Sequence, residues 1–508
     1  MIAGDTSSVR ADQRSDKERE NVIFKISVRV DLGRDLGQNF GSLFEATDDQ
    51  GRVIAGAGFL GAFNTESRSD RRVLNFFIKP GKQPETQMER LPRANDDGGV
   101  YLHAFDDKTF ARSRGGKDPH LRAWDPKSRR WVIDDATLPL SIHVGDGVLT
   151  STSGRVTYRG KTLLELGPDQ GILGETYYAN GCFILHQRFP DSTPKIDRLV
   201  ACPWTPDGPS KIDLAQGRVQ EMDASHPMVV YAYGQLGQDI LAATNTGGVY
   251  AFDGERWRIL YERPDKNVSF QVYSMINYYD RLLLGQYPTG ELYEFNGKEL
   301  IHYKGWPPVM PGVSGRAREA QTTAIYGGDL YVGVWPWAEV WRYDGADWSL
   351  VRRMFTHPDL TDAVTHPYEA ECTKLEIVLN QWGQRVTSMI PSGDALYVST
   401  SAKGSAPYEP RFGFLTDEQQ KDYGAIYRLA RPGHLSVHTD WKAGPTTFEL
   451  TITQDQMRVS QDGRPLGSAP VSPDLTEGLV LKEMSWGKGV YGRFRGEIVE
   501  KTIQSEGR

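Results

Sequence analysis

A base beside a cation is the arrangement in this sequence that points most directly to chemistry. In CFILHQRF, His186 and Arg188 stand two residues apart, so on a strand they share one face. A neighbouring guanidinium disfavours the imidazolium and keeps His186 a neutral base. That suits removal of a proton next to a carboxylate, with an arginine to neutralise the carboxylate. Tyr287 and Arg385 are further candidates for the acid and the neutralising cation, and His143 in SIHVGDG is a second candidate base.

A second group has the side chains that hold sugars: Tyr177, His226, Gln271, Tyr273, Gln286, Arg318, Glu319, Gln321, Trp335, Trp337 and Trp382. Aromatic faces stack on the apolar faces of a pyranose, amides and acids bind hydroxyls, and arginine takes a carboxylate bidentately. Glycoside hydrolysis usually needs two carboxylates. Glu175 and Glu319 are the acids available, which favours elimination over hydrolysis. No cofactor is required by this chemistry. THPYEAEC carries metal-compatible His366, Glu369 and Cys372. They are candidates for a structural divalent ion, zinc or calcium, although a histidine and cysteine six apart fit no standard zinc spacing. The phosphate-loop motif GxxxxGK[ST], HExxH, GxSxG and CxxC are absent.

These residues need a scaffold, and the sequence repeats one. An apolar strand, an aromatic, an Asp-Gly or Asn-Gly turn and a second strand recur in VYAFDGERWRIL, LYEFNGKELIHY and VWRYDGADWSLV. Looser copies are LRAWDPKSRRWVI, VTYRGKTLLEL, LVACPWTPDGPSKIDL and IYRLARPGHLSVHTD. Such turns supply the positive φ of a tight hairpin. The turn residues Asp253, Asn296 and Asp344 are 43 and 48 apart. A second hairpin precedes most copies, and four strands at that period make a propeller blade. The expected fold is all-β: a seven-bladed β-propeller over 91–442, with a β-sandwich as the competing architecture. The candidate residues fall on loops entering first strands and leaving second strands, which meet at one mouth of the central channel.

The ends depart from the repeat. Residues 1–21 are polar and expected to be disordered, whereas 22–90 and 443–508 read as strands with polar turns. They are expected to pack together as a small β-sandwich-like appendage, or else to add strands that close the ring.

Composition narrows the partners. The 508 residues carry a net charge of −7, against nucleic acid or an anionic membrane as partner. No apolar run is long enough to span a membrane. Aromatic content of 11% indicates a folded chain rather than a disordered one. Three cysteines make no disulfide framework. The chain shows no signal peptide. A secreted or periplasmic protein whose signal lies outside this sequence is the expectation, with a cytoplasmic one as the alternative, acting as a monomer on a polysaccharide or oligosaccharide.

Blade number, length and a rim of His, Tyr and Arg together resemble seven-bladed propeller lyases of the ulvan and rhamnosyl-glucuronate type. The resemblance is architectural and implies β-elimination at C5 of a uronate, with His or Tyr as base and acid and Arg or Gln on the carboxylate. The alternatives are a glycoside hydrolase and a propeller that only binds glycan or protein, a kelch-like use of the fold.

Overall fold

A computed structural model describes residues 22–64, 67–79, 85–113, 118–135, 141–152, 154–193, 195–222, 228–265, 267–403, 413–477 and 479–505. The expected disordered stretch 1–21 and His226 lie outside them. The chain is an all-β protein of propeller type.

Antiparallel units follow one another along the chain, each with its strands paired in sequence order: 101–133, 142–165, 172–222, 230–261, 271–303, 319–353 and 385–430. The expected hairpins form their outer halves. Tyr250 pairs with Ile259, Tyr293 with His302 and Arg342 with Ser349 across the turns at Asp253, Asn296 and Asp344. Each turn acid or amide accepts backbone N–H bonds from the next residues, as when Asp344 Oδ1 takes Ala346 and Asp347. In units 230–261, 271–303, 319–353 and 385–430 the first and second strands are mostly buried, and apolar clusters lie between neighbouring units.

Two copies of the repeat depart from expectation. The outer strand of unit 172–222 is Arg218–Met222, after a longer excursion than the sequence suggested. In the last unit, Ile426–Ala430 is not followed by its own fourth strand. Gln87–Arg90 takes that place, pairing Tyr427 with Arg90. His434–His438 pairs instead with Val73–Ile78 in another sheet. The boundary expected at 442 therefore falls earlier, before His434.

The two chain ends meet in two five-stranded sheets. One orders Arg464–Pro470, Gln456–Gln461, Pro445–Thr453, Val22–Asp31 and Glu497–Ser505. The other orders His434–His438, Val73–Ile78, Val53–Phe59, Gly41–Thr47 and Glu483–Trp486. Strict alternation in Val22–Asp31 buries Phe24, Ile26, Val28 and Val30 on one face. These pack with Phe44, Phe59, Phe76, Phe448 and Leu450 in one core shared by both sheets. A period-2 strand must cover its apolar face, and here one end of the chain covers the other.

The same end segment enters the propeller. Ala62–Asn64 pairs with the first strand of unit 271–303, Phe63 opposite Met275. The Phe63 ring meets Tyr233 edge-on at 5.3 Å, and Tyr177 stacks parallel on Tyr233 at 5.2 Å. Arg68 lies over Phe63 at 4.3 Å, and burial pushes its guanidinium down to about 10. Next to it Asp35 binds Arg71 at 2.6 Å and Arg72 at 2.8 Å, all three buried. Burial raises the Asp35 carboxyl, but the two guanidiniums prevail and hold it below the usual range. Phe63 and these charges lie at one end of the inner strands, the end closed over by the end segment.

Candidate functional site

The innermost strands all run the same way. Their C-terminal ends reach the end sheets: Gly181 N–H donates to Leu36 O, Asp106 N–H to Asp70 Oδ2 and Gly327 N–H to His434 Nδ1. Their N-terminal residues therefore face the opposite, open end. Tyr101, Glu175, Tyr231, Gln271, Tyr273, Glu319 and Arg385 belong to those first turns of strand. Strand register brings three of them beside a residue leaving the second strand: Gln271 pairs with Tyr287, Glu319 with Trp335 and Arg385 with Ser401, whereas Glu175, Tyr231 and Tyr273 stand in register shifts.

At that end an acid, a phenol and a cation come together from three units. Glu319 is 2% exposed, and Arg385 Nη2 lies 3.6 Å from its Oε1. The Tyr273 hydroxyl donates to Gln271 Oε1 at 2.7 Å and also faces Glu319. Gln271 in turn donates to Asn245 O. Tyr231 packs on Tyr273 with ring centres 4.7 Å apart. Arg385 Nη1 donates to Lys403 O, and the Lys403 ammonium reaches Asn380 Oδ1.

The electrostatics follow from this burial. Desolvation raises the Glu319 carboxyl above its ordinary value, and Arg385, Tyr273 and Lys403 only partly offset it. Burial and the neighbouring Glu319 drive the Tyr273 phenol well above its usual value, so it rests protonated. Tyr287 is raised for the same two reasons. Burial lowers the Arg385 guanidinium, but Glu319 beside it prevails and raises it. A carboxyl of increased basicity against a hydroxyl and beside a fixed cation can accept a proton passed through that hydroxyl.

His186 differs from the expectation. It is fully buried, with Nδ1 3.1 Å from Glu175 Oε2 and Nε2 3.0 Å from Asp197 Oδ1. Burial opposes its charge, but the hydrogen bonds to Asp197 and Glu175 prevail and raise its pKa. Both ring nitrogens face carboxylates, an arrangement that favours the charged form over the expected neutral base. Arg188 lies 3.4 Å from Asp197 Oδ1 and adds a second cation to that carboxylate. Glu175 is also engaged by Val230 N–H. This network ties unit 172–222 to the next one.

Several other candidates are structural or lie elsewhere. His143 sits at the closed end of the inner strands, stacked on Phe105. Tyr177 belongs to the closed end and accepts from Gln235. Arg318 is 1% exposed and spends its guanidinium on Glu339 and the Pro308 and Thr289 carbonyls. Gln286 accepts from Thr289 and donates to Tyr287 O, shaping a turn. Trp337 is buried beneath Arg353, and Trp382 packs on Tyr423. Gln321 is buried on the strand that carries Glu319. Trp335 is buried with Tyr287 on one side and His366 on the other, at 6.4 and 4.8 Å.

The expected metal triad is not assembled. His366 Nδ1 meets Glu369 Oε1 at 3.0 Å. Cys372, on the same short helix Glu369–Lys374, is buried in an apolar cluster with Met354, Phe355 and Tyr423, and burial raises its thiol.

Tyr101, Tyr231, Asp70, Asp106 and His438 were not singled out by sequence. Tyr231 stands in the register shift of its first strand, as Tyr273 does in its own, and Tyr101 opens the first strand of unit 101–133. The others come together only through the end sheets.

No family model matches the sequence, and no curated protein matches it. Among solved structures, the computationally designed Ika8 protein aligns over 79% of this chain and 99% of its own, at 11% identity and TM-score 0.34. YCF48 bound to a D1 peptide aligns over 70% and 99%, at 9% identity and TM-score 0.24. Raptor from Chaetomium thermophilum aligns over 80% and 30%, at 11% identity and TM-score 0.30. None of the three is named as a polysaccharide lyase. Likenesses this distant carry no argument about function. Among the described residues no helix is long and apolar enough to cross a membrane.

Proposed function

We propose that the repeated units are the seven blades of a closed propeller whose open mouth binds a uronate-containing polysaccharide and cleaves it by β-elimination. Ring closure is supported by Leu102 N–H donating to Ser388 Oγ and by the bridge between Gly99 and Ser401, which join the last unit to the first. The lyase reading rests on one observation, the convergence of Tyr273, Glu319 and Arg385 at that mouth. Arg385 and Lys403 supply positive charge to the substrate carboxylate and to the charge that develops on it. The Tyr273 oxygen takes the C5 proton as its own hydroxyl proton passes to Glu319. The C4–O bond breaks and the C4–C5 double bond forms. The proton returns from Glu319 through Tyr273 to the leaving oxygen, so one proton moves from C5 to that oxygen and nothing else is consumed. The reading places the protein outside the cytoplasm, where such glycans occur.

A second reading, glycan binding without turnover, is favoured by one fact: Arg385 is already engaged by Glu319 and the Lys403 carbonyl. Hydrolysis is less well supported, because the other mouth acid, Glu175, is held by His186 and Val230 N–H.

The test is to mix the protein with uronate polysaccharides and follow the ultraviolet absorbance of the conjugated unsaturated product. A rise that Glu319→Gln abolishes supports elimination. Binding with a flat trace supports the second reading, new reducing ends with a flat trace support hydrolysis, and neither binding nor turnover overturns the glycan assignment.

A further inference from the structure

At the closed end, outside the proposed glycan site, lies a group of side chains with no part in that chemistry. Asp106 is on the hairpin turn of unit 101–133, His143 on the first strand of unit 142–165, and His438 at the end of an end-sheet strand. We propose that these three bind one divalent transition-metal ion of the zinc class, with Asp70 as the outer partner of His438.

The geometry carries the proposal. One ligand atom from each residue lies within 4.8 Å of the others. Asp106 Oδ1 is 3.7 Å from His143 Nε2 and 4.0 Å from His438 Nε2, both beyond hydrogen-bonding distance. Tetrahedral zinc, with bonds of about 2.0–2.1 Å, holds its ligand atoms roughly 3.3–3.5 Å apart. Closing that gap takes a few tenths of an ångström from an aspartate whose side chain is 65% exposed. His143 Nε2 is buried and has no hydrogen-bond partner. An imidazole nitrogen left in that condition needs an acceptor for its lone pair or its proton, and an ion between the three residues supplies one.

The surroundings orient the ligands as metal sites require. Asp70 Oδ2 stands 3.3 Å from His438 Nδ1, which leaves Nε2 directed at Asp106. A carboxylate behind a ligating histidine fixes its tautomer and ring angle. Asp70 is itself held, with Oδ1 accepting from Arg72 N–H and Oδ2 from Asp106 N–H. Phe105 stacks on the His143 ring, 4.6 Å between centres and 3° from parallel. Asp106 and Asp107 have φ of 53° and 61°, the left-handed turn that aims the carboxylate. Two imidazoles and a carboxylate suit a borderline ion such as zinc rather than calcium, which prefers oxygen. The exposed side of Asp106 leaves the fourth position to water. The three ligands come from two propeller units and an end sheet, so the ion would join them.

The test uses the full chain freed of metal with a chelator. Titration with Zn²⁺ should show one ion per chain and a rise in melting temperature. Co²⁺ should give the intense visible bands of a low-symmetry four- or five-coordinate site. His143→Ala and His438→Ala should each weaken binding at least about 100-fold, and Asp70→Asn about 10-fold. Should a histidine variant fail to fold, the exposed Asp106→Asn decides: it should fold and lose most of the affinity. Absence of stoichiometric binding, or binding that Asp106→Asn leaves unchanged, would overturn the site.

Discussion

The two ends of the inner strands use the same kinds of side chain to opposite effect. At the closed end Asp35 faces two arginines, and Phe63, Tyr177 and Tyr233 pack together nearby. Asp35 and both arginines are paired at hydrogen-bonding distance, and Asp35 is held ionised. At the open end one glutamate faces one arginine across 3.6 Å, and burial raises its carboxyl instead. Two close guanidiniums overcome desolvation, whereas one distant guanidinium does not. A carboxylate satisfied by its own protein stabilises structure, and one left partly unsatisfied retains the capacity to bind or move a proton.

That contrast can be broken most sharply at Asp35. Asp35→Ala strands two buried guanidiniums and should cost about 3–5 kcal/mol of stability, read by chemical denaturation. A loss below about 1 kcal/mol would mean that Arg71 and Arg72 are hydrated and the end is not closed. Phe63→Ala should follow, at about 3–4 kcal/mol, because it opens a cavity beside the stacked Tyr177 and Tyr233. At the open end the balance reverses. Glu319→Gln should leave the melting temperature within a few degrees of the parent while lowering turnover on the responsive glycan about 100-fold. Equal stability losses from Glu319→Gln and Asp35→Ala would erase the distinction between the two ends.

The pH responses separate the ends further. Asp35 has a lowered pKa, so its stabilisation is complete above the ordinary carboxylate value of 3.8 and fades as pH falls through the lower folded value. Glu319 must be ionised to accept a proton, so turnover should rise with pH through a midpoint above the ordinary 4.5. An acid limb at or below that value would remove Glu319 from the chemistry. The smallest expected effect belongs to His186. Its raised pKa gives stability that is complete below the unfolded value near 6.5 and is lost as pH rises through the folded value. His186→Ala should remove that alkaline slope and destabilise the fold by about 1–3 kcal/mol.

Sequence made the repeat legible because hairpin chemistry is local. Asp-Gly and Asn-Gly turns with alternating apolar residues announce each outer hairpin without reference to the rest of the fold. Pairing of loops was legible for the same reason: Gln271 with Tyr287 and Glu319 with Trp335 are neighbours through one turn. His186 was misread because its environment is set by Asp197, one strand over, and by the bulge that brings Glu175 beside it. A spacing of two showed Arg188 and concealed both carboxylates. His143 and His438 lie far apart in sequence and meet through end-sheet packing, for which no short-range pattern exists. Gln87–Arg90 in the last unit is hidden likewise, since its partner strand is distant along the chain.

Val22–Asp31 lies between Pro445–Thr453 and Glu497–Ser505 and bonds to both. On the ribosome, this strand emerges early with its apolar face complete and its partners not yet made. At about 5–20 residues per second, the wait for them lasts on the order of tens of seconds. During that interval Phe24, Ile26, Val28 and Val30 form an uncovered template for pairing with another chain. Production of this protein is therefore expected to be more sensitive to holdase chaperones and to translation speed than its finished stability would suggest.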